Sequence, residues 1–234
     1  IWTSYAGHAD TCFLLARTAP GKAGISIFLL PMDTPGITVR QIPSIIGEGD
    51  IHEVFFDDVF VPWDRVFLAG EMQLAGTLAR SLGLWERTLG LLEAAERAEQ
   101  IIGLALLVSE QQGKGGTPTV ENAVAELVCY AQMIRMSLDW SCRNFERTAS
   151  GMIHPNVLGV NAGKYYYAAN YHQMIQKLHD LGGGLVLTLP TEADLRNPES
   201  GKYLRKYLHT TPDVDVEERM RVYNLIRDMT ADAF

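Results

Sequence analysis

From Glu71 onward the apolar residues recur every three to four positions over three long stretches, each stopped by glycine. This change of period constrains the fold more than any other feature of the sequence. In the run from about Glu71 to Gln112, Leu74, Leu78, Leu82, Trp85, Leu89 and Leu92 form one helical stripe. Gly113, Gly115 and Gly116 interrupt it, and Pro118 suits the first turn of the next helix. That helix, about 119–149, places Val124, Leu127, Tyr130, Ala131, Ile134, Leu138 and Trp140 on a broad apolar face. A third, about 156–181, carries Leu158, Ala162, Tyr165, Ala169, His172, Ile175 and Leu178 and ends in Gly182-Gly183-Gly184. Three long helices joined by short breaks predict an antiparallel bundle. Residues 185–192 read as an extended segment, and helices over about 198–208 and 215–231 close the chain.

The first 68 residues have a different texture. Short runs rich in β-branched and aromatic residues, Thr11–Thr18, Gly24–Met32, Ile37–Pro43 and Glu53–Val61, predict strands. Turn signals separate them at Ala19-Pro20-Gly21, Asp33-Thr34-Pro35-Gly36 and Gly47-Glu48-Gly49-Asp50. With no helical pattern between them, antiparallel pairing is expected. The class is therefore α+β, with an antiparallel β region over 1–68 and a helical bundle over 69–234. The chain opens on Ile1-Trp2-Thr3-Ser4-Tyr5, already strand-like and without an initiator Met, so a longer polypeptide is expected.

Charge and cysteine usage narrow the function. Twenty Lys+Arg against 28 Asp+Glu leave a formal charge of −8, with no basic cluster to neutralise nucleic-acid phosphates. The longest apolar runs, such as Ile101–Val108, are far short of the ~18 residues of a membrane span. Cys12, Cys129 and Cys142 are isolated and odd in number, which fits a reducing, cytoplasmic setting.

Several groups of residues are able to carry chemistry. His8, Asp10 and Cys12 would share one face of an alternating strand, although a metal site needs further ligands. Trp2, Thr3 and Ser4 combine a flat apolar ring with two hydroxyls, suited either to a β core or to an aromatic cofactor. His179-Asp180 precede three glycines that permit close approach of a ligand backbone or phosphate, or simply cap a helix. This is not the GxGxxG fingerprint of a Rossmann site. Glu192 follows Pro190-Thr191, where Thr191 suits a helix N-cap and Glu192 is a candidate base. Tyr165, Tyr166, Tyr167, Tyr171 and His172 fall on different faces of one helix and read as packing.

Taken together, Trp2-Thr3-Ser4, Ala9-Asp10 and Asp57–Phe67 resemble the middle β domain of the acyl-CoA dehydrogenase superfamily. The stretch Val59–Phe67, Gly70-Glu71 and residues 178–199 resemble the branch containing 4-hydroxyphenylacetate 3-monooxygenase and 4-hydroxybutyryl-CoA dehydratase. The likeness extends over essentially the whole chain. It implies a helical N-terminal domain absent here, a middle β domain, a C-terminal bundle, FAD as cofactor and a homotetramer. By the same likeness Trp2, Thr3 and Ser4 lie by the flavin, Gly182, Gly183 and Gly184 approach the cofactor with Thr188 and Thr191 nearby, and Glu192 is the catalytic carboxylate. The dehydratase also needs an iron–sulfur cluster with a His and a Cys seven residues apart on the first bundle helix. Here Trp85/Leu92 or Glu86/Glu93 occupy those places, so no metal site is expected. The implied function is reduced-flavin-dependent hydroxylation of a phenolic substrate, with a separate flavin reductase as partner. The alternatives are an acyl-CoA dehydratase or isomerase lacking the cluster, and a non-catalytic assembly subunit.

Overall fold

The computed structural model describes residues 1–21, 24–44 and 47–230. Contacts divide the chain into two compact units, Ile1–Gly83 and Leu84–Phe234. In the first unit the short strand β1 (Thr3–Ser4) pairs antiparallel with β5 (Gly47–Phe56), which pairs on its other side with β4 (Ile37–Ser44). A second sheet has β3 (Ile25–Pro31) between β2 (Thr11–Arg17) and β6 (Val66–Leu68), again antiparallel. The period-two pattern is visible in β2, where Thr11, Phe13, Leu15 and Arg17 are exposed and the residues between them are half-buried. The central strand β3 is the better protected, burying Ser26, Ile27 and Leu30.

The second unit is helical. The long helix α1 (Met72–Gln111) begins before the unit boundary and runs into it. Next come α2 (Pro118–Arg143), a small hairpin of β7 (Glu146–Arg147) and β8 (Ile153–His154), and α3 (Val157–Gly182). Four further helices follow: α4 (Leu185–Thr188), α5 (Glu192–Arg196), α6 (Gly201–Tyr207) and α7 (Val216–Thr230). The main core joins α1, α2, α3, α4 and α7 through Leu91, Ile101, Leu127, Ile134, Leu178, Val186, Tyr223 and Ile226.

Several expectations need correction. Gly47–Asp50 is strand, not turn, because β5 is long enough to pair Ser44 with Gly47 and Glu48 with Pro43. Beyond Phe56 the backbone leaves the sheet, and Asp58 takes a left-handed conformation at φ 49°. Of residues 185–192 only the link between two short helices is extended, at Leu189 and Thr191; α5 has a capping box in which Thr191 and Asp194 satisfy each other. The last position of the expected final helix, Ala231, lies outside the described residues.

The apolar stripes were phased correctly on α2 and at the end of α3, where Ile175 and Leu178 are buried, but not on α1 or the first half of α3. On α2, Leu127, Tyr130, Ala131, Ile134 and Leu138 are buried, while Trp140 is half exposed. In the first half of α3 glycines stand at inward positions. A Cβ at Gly159 would lie 2.3 Å from Ser141 Oγ, and one at Gly163 would lie 2.7 Å from Ser137 Cβ and 2.9 Å from Leu91 Cδ2. Glycine lets the backbone approach, so the large residues Leu158 and Tyr165 are left on the outside. His8 sits in a turn rather than on a strand with Asp10 and Cys12, and its Nε2 lies 3.2 Å from Asp50 Oδ1.

Candidate functional site

The sequence-derived site residues fall into two groups, one in each unit. In the first, Thr3 and Ser4 form β1, an edge strand whose register sets Thr3 opposite His52 and Ser4 opposite Ile51. Trp2 and Tyr5 flank it in the left-handed region at φ 63° and 58°, a conformation costly for large side chains. Both rings are exposed. The Tyr5 amide donates to Asp50 O at 2.7 Å, which holds the turn against β5. Trp2, Thr3 and Ser4 thus present an indole and two hydroxyls on the surface of this unit, not in its core.

Beneath this strand lies a residue that sequence reasoning missed. His52 is buried, its Nδ1 has no hydrogen-bond partner among the described residues, and a Cβ on Gly7 would come within 2.6 Å of its Nε2. Only the pairing of β1 with a strand some fifty residues away brings it there, so no local motif marks it.

The second group begins where α3 stops. Gly183 takes φ 71° and ψ −162°, a combination open essentially to glycine alone, and its N–H donates to His179 O at 2.7 Å. Gly182 is buried, and a Cβ there would meet Val186 Cγ2 at 2.8 Å. Gly184 differs from both. Its φ −57° and ψ −26° are ordinary helical values, and a Cβ on it would meet nothing within 4 Å. Nothing among the described residues requires glycine at this position.

The remaining candidates follow on the same segment. The Thr188 hydroxyl donates to Gly184 O at 2.9 Å, leaving its lone pairs outward. The Thr191 hydroxyl donates to Asp194 Oδ2 at 2.7 Å and accepts from the Asp194 amide at 3.3 Å. These bonds, with the Thr191 N–H, hold the Asp194 carboxyl below the usual aspartate range. Glu192 is exposed and paired with Arg196 one turn on. It borders a cavity of about 310 Å³ shared with Arg196, Glu217, Arg221 and Asn224. The structure therefore gathers Gly182, Gly183, Gly184, Thr188, Thr191 and Glu192 along one short stretch of the second unit.

Sequence reasoning also missed what secures this stretch. Gln112 Nε2 donates to Leu181 O at 2.9 Å and to the Tyr223 hydroxyl at 3.0 Å, and that hydroxyl donates to Gly182 O at 2.9 Å. The partners lie 69, 111 and 41 residues apart, beyond any periodicity signal. No helix among the described residues is long and apolar enough to cross a membrane.

Comparison with known proteins agrees with this architecture. The chain is 30% identical over 224 residues to the FADH(2)-dependent monooxygenase TftD of Burkholderia cepacia, covering 90% of this chain and 43% of that protein. It superposes on an oxygen-tolerant archaeal 4-hydroxybutyryl-CoA dehydratase from N. maritimus with a TM-score of 0.79 at 27% identity, over 89% of this chain and 45% of the other. The crystal structure of the oxygenase component (HpaB) of 4-hydroxyphenylacetate 3-monooxygenase complexed with FAD matches with a TM-score of 0.83 at 24% identity, over 96% of this chain and 50% of that one. The fold is therefore α+β and acyl-CoA dehydrogenase-like, and the chain spans half the length of these proteins or less. The family described as HpaB, 4-hydroxyphenylacetate 3-hydroxylase C terminal, matches residues 75–234, and the chain belongs to that family.

Proposed function

We propose that this protein is a flavin-dependent monooxygenase that uses reduced FAD to hydroxylate a phenolic or related aromatic substrate. Similarity to an FADH(2)-dependent monooxygenase and to an FAD-bound oxygenase component supports the reading. The structural observation that carries it is Gly184, a glycine in relaxed helical backbone with open space where a side chain would stand. A flat cofactor with polar edges suits that bare backbone, and within the first unit the exposed indole and hydroxyls of Trp2, Thr3 and Ser4 offer contacts of the same chemistry. When bound, reduced flavin supplies the electrons with which dioxygen is activated.

In this reading Trp2 offers an apolar face to the cofactor, and Thr3 and Ser4 offer hydrogen bonds to its heteroatoms. Gly182, Gly183 and Gly184 allow close approach, with Thr188 and Thr191 presenting hydroxyl lone pairs beside them. Glu192, held by Arg196, is the carboxylate available for proton transfer. Residues 1–68 form part of a middle β domain and 69–234 the helical bundle. A separate flavin reductase supplies the reduced cofactor. The outward leucines of α1 support assembly as a homotetramer, and the exposed thiols of Cys129 and Cys142 suit the reducing cytoplasm. The likeness to the dehydratase favours a second reading, an acyl-CoA dehydratase or isomerase, but Trp85 and Leu92 offer neither imidazole nor thiolate to a cluster.

Two measurements test the proposal. Full-length protein given reduced FAD and a panel of phenols is expected to consume oxygen and yield a hydroxylated product by mass spectrometry. Turnover of acyl-CoA thioesters with no reaction on any phenol would establish the second reading instead. Gly184→Val is expected to leave the thermal midpoint unchanged while weakening FAD binding at least tenfold; unaltered affinity would remove the glycines from the site.

A further inference from the structure

Helix α3 ends at Gly182, and the carbonyls of its last turn have no partners within the helix. Two of them, on Leu181 and Gly182, are met by side chains from elsewhere in the second unit. Gln112, just past the end of α1, uses both protons of its amide: one on Leu181 O, the other on the Tyr223 hydroxyl of α7. That hydroxyl passes its own proton to Gly182 O. The amide orientation is fixed by chemistry, because a carbonyl oxygen and a hydroxyl that has spent its proton both require a donor. Tyr223 is 1% exposed and its ring lies 3.7 Å from where a Gly182 Cβ would stand. A third tie lies one turn back. Thr230 donates to Ile226 O at 2.6 Å, so its oxygen accepts from His179 Nε2 at 2.7 Å. The His179 carbonyl in turn receives the Gly183 amide.

We propose that Gln112 and Tyr223 are positioning residues that set the backbone of the Gly182–Gly184 turn and through it the affinity for the cofactor. This rests on the flavin reading above. The Gln112 to Tyr223 to Gly182 chain is a donor–acceptor relay in a buried setting, where successive bonds polarise one another. It acts on the peptide unit that leads directly into Gly183, whose unusual φ and ψ direct the chain toward α4. Breaking it frees the turn to sample other conformations without disturbing the apolar contacts of the Tyr223 ring. An altered turn is then paid for at the moment of binding, as lost pre-organisation.

The test compares full-length Tyr223→Phe and Gln112→Met with Tyr130→Phe. Tyr130 makes the same kind of bond, its hydroxyl donating to Tyr167 O at 2.9 Å within the same core, but to another part of α3. Loss of one buried hydroxyl bond near the turn is expected to weaken FAD binding about fivefold to tenfold. The amides of Gly183 and Val186, which bond to His179 O and Gly183 O, are expected to exchange at least tenfold faster in both near-turn variants. Tyr130→Phe should lower the thermal midpoint comparably yet bind FAD as the wild type does. Wild-type affinity in Tyr223→Phe overturns the positioning role while leaving the flavin reading intact. An equal loss in Tyr130→Phe overturns it as well, because the effect is then general destabilisation. A wild-type protein that binds no FAD removes the flavin reading and this role together.

Discussion

Along α1, Leu91, Ala94, Ala95, Ala98, Ile101, Ala105 and Val108 are buried, whereas Leu82, Trp85 and Leu89 are 59%, 47% and 58% exposed. The inward face mixes these alanines with large residues, Leu84 and Leu104 included, while the outward stripe Leu82, Trp85 and Leu89 is large throughout. Small side chains let neighbouring helices approach and make the core dense, while the bulky outward stripe contributes little to the stability of the chain that carries it. A similar contrast holds in the first half of α3, where Gly159 and Gly163 face α2 and Leu158 and Tyr165 face outward, before Met174, Ile175 and Leu178 turn inward. Hydrophobic size therefore does not by itself mark burial on these stretches, and the outward stripe of α1 reads as surface for association.

The largest expected effect sharpens that contrast. Leu91→Ala should cost about 2–5 kcal/mol by denaturant unfolding, because it empties a fully buried site. Leu89→Ala, two positions away, should stay within about 0.5 kcal/mol but shift the oligomeric state measured by light scattering. Equal losses from the two would erase the distinction between the faces.

A smaller effect is expected at the helix contact itself. Gly163→Ala forces a methyl to within 2.7 Å of Ser137 Cβ and should cost about 1–3 kcal/mol, whereas Ala162→Gly on the exposed side should cost no more than about 1 kcal/mol of helix propensity. Next comes Tyr130→Phe, at about 1 kcal/mol, because the hydroxyl bonded to Tyr167 O is removed while the ring remains among Tyr166 and Tyr167. Burial, reinforced by the neighbouring tyrosines, pushes the Tyr130 hydroxyl well above the ordinary phenol range, so this donor survives mild alkali.

The smallest effect concerns pH. Asp194 is depressed in the folded state by the Thr191 hydroxyl and amide, so its contribution is complete above the ordinary aspartate pKa and is lost as pH falls through the depressed folded value. Asp194→Asn should flatten the acid limb of a stability profile measured by circular dichroism, and an unchanged profile would remove the capping box from the account.

Much of the architecture was legible because it is written locally. Runs rich in β-branched and aromatic residues marked the strands, glycine clusters marked the ends of α1 and α3, and Thr191 announced its cap three residues before Asp194. Facing was legible on α2, whose inward positions are also its most hydrophobic, and at Ile175 and Leu178 near the end of α3, but not on α1 or the first half of α3, where inward alanines and glycines carry little hydrophobic signal. Of the candidate site, the glycine turn showed itself as a helix break, and Trp2-Thr3-Ser4 by resemblance. The left-handed backbone at Trp2, the placement of His52 opposite Thr3 and the bonds from Gln112 and Tyr223 depend on tertiary pairing and left no trace in sequence.

The bonds from α7 also have a practical side. That helix, Val216–Thr230, supplies the Tyr223 hydroxyl to Gly182 and the Thr230 hydroxyl to His179, although it follows the glycine turn by more than thirty residues. A variant lacking it would leave the Gly182 carbonyl and the His179 side chain without these partners and would register in an assay as a defect at the glycines. Affinity tags and fusion partners are therefore better joined through a spacer beyond Thr230 than grafted onto α7.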